Sequence, residues 1–435
     1  MFFQKEIETM PRSEIESLQL QRLKHTVEYC IKNVPFYAKR LEQAGVTADK
    51  IKCLSDIQYI PFTTKEDIRD NYPYGLFAAP LKKIVRIHAS SGTTGKPTVV
   101  GYTRDDIENW SDCVARFCTA VGVGEEDIAQ ISFGYGLFTG ALGLHYGLEK
   151  IGCSVIPVSS GNTEKQVMLL KDFQSTVLVS TPSYAMYMSE VAKQQGIMPE
   201  EIKLRVGLFG SEGCTDELRN KIEKGFGLFS TDNYGMSELM GPGVSGECQY
   251  REGLHIAEDH FIPEIIDSQT KKVLDGGEKG ELVMTTITKQ GIPLLRYRTK
   301  DITTLNYQTC KCGRTHVRMG KVQGRSDDML KIRGVNVFPS QIESVIAGID
   351  GISPHYELIL TRKNYTDYLE VKVELVNAEL LENYSRLNAL REAVVAKLHT
   401  VLGIKAKVSL VAPSILKRYE GKAKRIVDLR NQANV

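Results

Sequence analysis

Ser90, Ser91, Gly92, Thr93, Thr94, Gly95 and Lys96 put four hydroxyls, two glycines and one ammonium into seven consecutive positions. Glycine admits positive φ and therefore a tight backbone path. A loop of this composition can turn N–H groups, O–H donors and a cation toward one polyphosphate. The spacing differs from that of a P-loop: two residues separate Gly92 from Gly95, and Pro97 follows Lys96. That argues against a P-loop NTPase; the plainer alternative is a Ser/Thr/Gly surface turn. A second group is Cys248, His255, Cys310 and Cys312, three thiols and one imidazole. As thiolates they complete a tetrahedral Zn²⁺ set, and four protein ligands leave no open position, so the expected zinc is structural. The alternative is two unrelated groups of reduced residues, since the tight Cys310-Lys311-Cys312-Gly313 turn lies far from Cys248 and His255. A third stretch, Gly134-Tyr135-Gly136-Leu137-Phe138-Thr139-Gly140, is a near miss of the dinucleotide fingerprint. No acidic residue follows a second strand at the right distance, which argues against NAD. Its glycines suit a backbone wall beside a ligand, and Tyr135 and Phe138 suit either an aryl pocket or plain core.

These residues need elements to hold them. Apolar spacing over 13–44 is helical, with Pro35 as a break and Gly45 as a stop. Thr63 or Thr64 can cap a helix that has acidic residues in its first turn. Residues 83–88 read as a strand feeding the Ser90–Lys96 loop. From 105 onward, helical and strand-like runs alternate: helices over 105–121, 163–173 and 182–195, strands over 128–133, 153–158, 176–180 and 204–210. Such alternation predicts an α/β fold, a large N-terminal domain with helix-covered, mainly parallel sheets. Ser211-Glu212-Gly213 and Asp232-Asn233-Tyr234-Gly235 follow strand-like runs, at the carboxyl ends where such sheets bind ligands. Beyond 325 a helix (339–347), an alternating strand (369–375), a helix (386–401) and a strand (406–411) predict a small α+β C-terminal domain.

Composition excludes several classes. The 435 residues carry 55 basic and 53 acidic side chains, a net +2 that points to neither a nucleic-acid nor a membrane partner. No run of apolar residues is long enough to span a bilayer. Residues 1–6 lack the build of a signal peptide. The odd number of cysteines, nine, mostly scattered singly, suits reduced thiols and a cytoplasmic protein.

In order along the chain, the Ser90–Lys96 loop, Tyr234-Gly235-Met236-Ser237-Glu238, Tyr297-Arg298-Thr299-Lys300-Asp301 and Gly324-Arg325-Ser326-Asp327 resemble the motifs of the adenylate-forming enzymes: acyl-CoA synthetases, luciferases and peptide-synthetase adenylation domains. Val34-Pro35-Phe36-Tyr37 with Pro61-Phe62-Thr63-Thr64-Lys65 narrows the resemblance to the phenylacetate-CoA ligase branch. It covers nearly the whole chain. It implies an ATP-dependent acid–CoA ligase that makes an acyl-adenylate, then an acyl-CoA thioester, with AMP and pyrophosphate released. It implies the substrates ATP, CoA and a small carboxylic acid, phenylacetate or a related aryl acid. It assigns phosphate contacts to Ser90–Lys96, adenine packing to Tyr234 within 233–237, ribose to Asp301, and nucleotide contacts to Ser211, Glu212 and Arg325. Glu238 would hold Mg²⁺, which must screen the repulsion between carboxylate and ATP. Lys65 would face the substrate carboxylate or phosphate; the commoner fate of such a residue is a solvated helix-start lysine. Gly213 with Tyr135 and Phe138 would meet the acid. Lys422, in a basic tail, would reach the reacting carboxylate. Asp327 would be the swivel, dividing an adenylation domain (1–325) from a small mobile domain (326–435). A homodimer is the one assembly kept open. Two alternatives stand beside this: transfer of the acid to a carrier-protein thiol, and a non-catalytic, zinc-stabilised nucleotide-binding protein.

Overall fold

The computed structural model describes residues 1–90, 97–327, 330–332, 335–363, 366–419 and 423–430. The chain begins with the helix Arg12–Asn33, whose buried face includes Leu23, Val27 and Cys30. Val34 is extended, as the residue before a proline prefers, and Pro35 opens the next helix, Pro35–Gln43. Gly45, at φ +65°, ends that pair as the sequence predicts.

Among the described residues the large sheet has nine strands. Five run parallel: Ser154–Ile156, Ile128–Ile131, Val177–Ser180, Val206–Gly210 and Phe229–Met236. Between them the chain forms the helices Gly140–Lys150, Thr163–Asp172, Pro182–Gln194 and Asp216–Phe226. Val177–Ser180 and Val206–Gly210 are buried throughout, as expected of parallel strands covered on both faces. The sheet then continues antiparallel through Gly241–Glu247, Leu254–Ile256, Arg318–Met319 and Leu305–Asn306. The change of sense follows the turn at residues 237–240. The parallel alternation stops at that turn, so the sequence pattern foretells the first five strands and is silent on the rest. Residues 232–235, expected beyond a strand end, lie inside Phe229–Met236 instead. The strand keeps its pairing there because Gly241–Glu247 lies antiparallel alongside, with a register shift between Tyr234 and Gly235.

Two further antiparallel pieces frame the site. Arg86–Ser90 pairs with Thr98–Tyr102, with Ser90 opposite Thr98, so the expected phosphate loop joins the strands of a hairpin. Phe261–Ile266, Gly280–Thr286 and Tyr297–Thr303 form a three-stranded sheet.

The C-terminal part has its own core, with Ile332, Val337, Ile342, Leu358, Val371, Val394 and Leu398 among its members. Its strands Ile352–Lys363 and Thr366–Leu375 are antiparallel, and Lys407–Val411 and Ile426–Asp428 flank them in parallel. The helices Pro339–Ala347 and Tyr384–Leu402 pack with that sheet, giving the α+β unit the sequence predicts.

Candidate active site

Lys65 is the first residue of the short helix Lys65–Asp70. Thr64 caps it: its hydroxyl accepts from Asp67 N, and the Asp67 carboxylate accepts from Thr64 N at 2.8 Å. Arg40 grips the same carboxylate at 2.8 and 2.9 Å, so the turn is held from two sides. The cap directs Lys65 toward Glu238, with Nζ 3.2 Å from Oε1. Glu238 is buried, whereas the Lys65 side chain remains 33% exposed, open to an incoming anion. The sequence thus brings together a cation and a carboxylate from positions far apart.

The turn that carries Glu238 rests on two residues that sequence patterning misses. Lys289 is buried and donates to the backbone carbonyls of Glu238 (3.0 Å) and Leu239 (2.6 Å). Burial pushes its pKa down to about 8. Tyr102 donates to the carbonyls of Ser237 (3.2 Å) and Met240 (3.1 Å), and its ring lies 4.7 Å from the Lys289 ammonium. Tyr102 in turn stacks on Trp110 at 5.1 Å, and Trp110 donates to Pro242 O at 2.7 Å. Ser237 meets Thr139 through their hydroxyls at 3.0 Å. Gly235 is obligatory here, because a Cβ would sit 1.7 Å from Gly241 O.

Tyr234, Asp301, Arg325 and Asp327 form one polar chain. The Tyr234 hydroxyl donates to Asp301 Oδ2 at 2.6 Å. Arg325 donates through Nη1 to Asp301 Oδ1 at 3.2 Å, and through Nε and Nη2 to both Asp327 oxygens at 2.9 Å. Burial, then the Asp301 charge, raises the Tyr234 pKa, so the phenol stays a donor. Asp301 lies within the strand Tyr297–Thr303, and an isolated bridge pairs it with Arg325. Next door, Asn233 is buried and donates to Phe209 O at 2.7 Å. Met236 closes the same strand.

Ser211, Glu212 and Gly213 leave the carboxyl end of Val206–Gly210, with Ser211 at φ +73°. Gly213 has open space where a side chain would stand. The Glu212 carboxylate is directed elsewhere: Oε1 accepts from Ser183 N at 2.7 Å and Oε2 from Ala423 N at 3.4 Å. Tyr135 is part-buried against the main core and meets His145 Nδ1 at 3.0 Å, while Phe138 is 52% exposed. Ser90 closes the strand Arg86–Ser90. Ser91, Gly92, Thr93, Thr94, Gly95 and Lys96, and also Lys422, lie outside the described residues.

The Cys/His set converges. Cys248 follows the strand Gly241–Glu247, and His255 sits in the adjacent strand with Gly246 as its partner. Cys310 and Cys312 come from a tight turn in which Gly313, at φ +89°, donates to Cys310 O at 2.9 Å. The ligand atoms all lie within 4.8 Å of one another, with Cys248 Sγ 3.8 Å from Cys310 Sγ and Cys312 Sγ 3.5 Å from His255 Nε2. A hydrogen bond from Cys248, then one from His255, lowers the Cys312 pKa despite burial. Such an environment favours thiolate, the metal-binding form.

Residues 17–288 match the AMP-binding enzyme family, and residues 334–430 match the AMP-binding enzyme C-terminal domain. The chain belongs to the AMP-binding enzyme family. A phenylacetate-coenzyme A ligase of Thermus thermophilus is 47% identical over 444 residues, covering 99% of this chain and 100% of that protein. The Escherichia coli protein of the same name is 47% identical over 427 residues, covering 98% and 97%. Among solved structures, a 2-hydroxyisobutyryl-CoA ligase in its postadenylation state matches with a TM-score of 0.92 at 27% identity, over 98% of this chain and 91% of that one. The same ligase matches with a TM-score of 0.74 in its thioesterification state (28% identity, 99% and 93% covered) and 0.72 in an open conformation (27% identity, 98% and 94% covered). Among the described residues no helix is long and apolar enough to cross a membrane.

Proposed function

We propose that this chain activates phenylacetate or a related aryl acid and transfers it to CoA. The chain is an ATP-dependent, AMP-forming acid–CoA ligase. The observation that carries the choice of acid is near-full-length identity of 47% to phenylacetate-coenzyme A ligases. In the first half-reaction the carboxylate oxygen attacks the α-phosphorus of ATP and pyrophosphate leaves. In the second, the CoA sulfur attacks the acyl carbon, its proton is lost, and AMP leaves.

The protein's contribution is positioning and charge stabilisation. Two anions must meet, and the Lys65–Glu238 pair supports that meeting point. Mg²⁺ held by Glu238 would neutralise charge on the phosphates when bound. Ser90–Lys96 hold the phosphates, Tyr234 and its neighbours the base, and Asp301 the ribose. Ser211 and the backbone of Glu212 border the nucleotide, and Tyr135, Phe138 and Gly213 border the acid. Lys422 approaches the reacting carboxylate from the C-terminal domain. The boundary falls at 325/326, with Asp327 as its swivel. Cys248, His255, Cys310 and Cys312 hold one structural Zn²⁺, apart from the chemistry. The cytoplasm is the expected compartment, and a homodimer is a separate proposal that light scattering tests.

The deciding experiment is a pyrophosphate-release screen over aryl, indolyl and fatty acids, followed by AMP release with and without CoA. Phenylacetate or a close aryl relative should lead, and AMP release should require CoA. No carboxylate-dependent pyrophosphate for any acid would refute the assignment.

A further inference from the structure

The C-terminal domain meets the large domain through the helix Asp216–Phe226 and, by polar contacts, through the helix Pro182–Gln194 and the loop that follows Val206–Gly210. Arg425 Nη2 donates to Ser183 Oγ at 2.8 Å, near the start of that helix. His355 Nε2 lies 3.1 Å from Glu190 Oε2 farther along it. Glu212 bridges the two domains: one oxygen takes the Ser183 N–H and the other takes the Ala423 N–H. The first bond satisfies a helix-terminal donor that has no intrahelical partner, so the large domain fixes the carboxylate before the small one reaches it. Arg425 is anchored on its own side by Glu343 Oε1 at 2.6 Å and by the Tyr356 ring, 4.5 Å from the guanidinium carbon. Ala423 adjoins Lys422 in sequence.

The arrangement in which these contacts form is one of several. One relative, at nearly constant identity and coverage of this chain, superposes at 0.92 in its postadenylation state and at 0.74 and 0.72 in its thioesterification and open states. Identity and coverage hardly change among these three states, whereas the score does, so this chain matches one state of that ligase better than the other two. Contacts between the domains are therefore the groups that can favour this placement over the others.

We propose that Glu212, Ser183 and Glu190, meeting Ala423, Arg425 and His355, form a latch that seats the C-terminal domain for adenylation and opens for thioester formation. These are positioning residues: they act through the placement of the segment that follows Lys422. The proposal rests on the two-step reaction assigned above. If rates in the two half-reactions follow the populations of the two placements, weakening the latch changes their ratio by the same factor as the equilibrium.

The test is the double variant Ser183→Ala/Glu190→Gln, which removes the hydroxyl acceptor at Ser183 and the negative charge at Glu190 and leaves the Ser183 N–H in place. Two rates are measured in wild type and variant: acid-dependent ATP–pyrophosphate exchange, and CoA thioester formation from supplied acyl-adenylate. Loss of the charge-assisted hydrogen bond from Arg425 and of the carboxylate charge beside His355 should raise the ratio of second to first by about tenfold. Glu212→Gln, which keeps one acceptor oxygen of the two, should shift the ratio in the same direction. A merely structural role would lower both rates together, and that outcome, or an unchanged ratio in both variants, overturns the latch. If wild type itself shows no acid-dependent exchange, the assigned reaction fails, and the latch with it. Active wild type with an unchanged ratio sinks the latch alone.

Discussion

Replacing Cys310 by serine tests the metal assignment through geometry, composition and stability at once. A tetrahedral Zn²⁺ with Zn–S near 2.3 Å and Zn–N near 2.0–2.1 Å requires S···S of about 3.8 Å and S···N of about 3.5 Å. The Cys248–Cys310 and Cys312–His255 separations are 3.8 and 3.5 Å. These two separations match a bound zinc, and all four ligand atoms lie within 4.8 Å of one another. Serine supplies a harder, weaker ligand, and metal-binding energy is folding energy. With free zinc at a thousandfold over its dissociation constant, the ion contributes about 4 kcal/mol. For a chain of this size that corresponds to a loss of roughly 4–8 °C in melting temperature. The assay is elemental analysis of protein purified without chelator or metal-affinity resin, with calorimetry of wild type and Cys310→Ser side by side. About one zinc per chain is expected, and chelation should expose the cluster's thiols to titration. Turnover at low temperature should survive, because four protein ligands leave the ion no position for substrate. Wild-type protein without zinc above background, or wild-type melting in Cys310→Ser, would refute the reasoning.

The other predictions are narrower. Lys422→Ala should slow adenylation about 100-fold or more, the cost of removing one stabilising donor from developing charge. Thioester formation from supplied acyl-adenylate should remain, and equal loss of both half-reactions would contradict the role. Asp301→Asn keeps the volume but removes the charge that faces Arg325, and AMP affinity measured by calorimetry should fall about tenfold or more; unchanged affinity would take Asp301 out of the nucleotide site. Burial alone would raise the Asp259 pKa, but His260 and Arg116 hold it well below 3.8, and burial would lower His260, which Asp259 instead pushes up to about 10. Stability from Asp259 is thus present above its ordinary pKa and lost as pH falls through the depressed value. That from His260 is present below 6.5 and lost as pH rises through about 10. Asp259→Asn should cost about 3–5 kcal/mol and flatten both limbs of melting temperature against pH.

Much of this architecture is local and hence readable. Thr64 announces its helix through a cap, because the acceptor hydroxyl and the donor N–H lie within one turn. Pro35 and Gly45 mark their boundaries through backbone restriction and backbone freedom. The zinc ligands are legible as a set of residue types, but their meeting depends on Gly246 pairing with His255 and on the turn at Cys310, which no spacing reveals. Lys289 is the clearest omission. A lysine after an apolar strand reads as solvated, and only the three-dimensional turn at 237–240 gives its ammonium two carbonyls. The Tyr234–Gly235 segment misleads in the other direction. Its glycine suggests a loop, yet the requirement is close approach of Gly241 within a paired strand.

Arg325 joins Asp301, the proposed ribose ligand, to Asp327, the proposed swivel, through a single guanidinium. One donor reaches Asp301 at 3.2 Å, and two reach Asp327 at 2.9 Å. The planar fork of arginine suits the second contact, a bidentate pair whose geometry tolerates little rotation. Rotation at Asp327, the proposed swivel, must therefore either break that pair or carry the guanidinium along with it, away from Asp301. A ribose whose hydroxyls donate to Asp301, as proposed, would compete for the same carboxylate and weaken the first contact, leaving Arg325 freer to follow Asp327. With the ribose proposed at Asp301 and the swivel proposed at Asp327, Arg325 would couple nucleotide occupancy to domain placement. Elsewhere at the junction, Glu212 joins the loop after Val206–Gly210 to Ala423. On these proposals the two links would bear on opposite outcomes: Glu212 would favour the adenylation placement, and nucleotide at Asp301 would loosen the contact between Asp301 and Arg325.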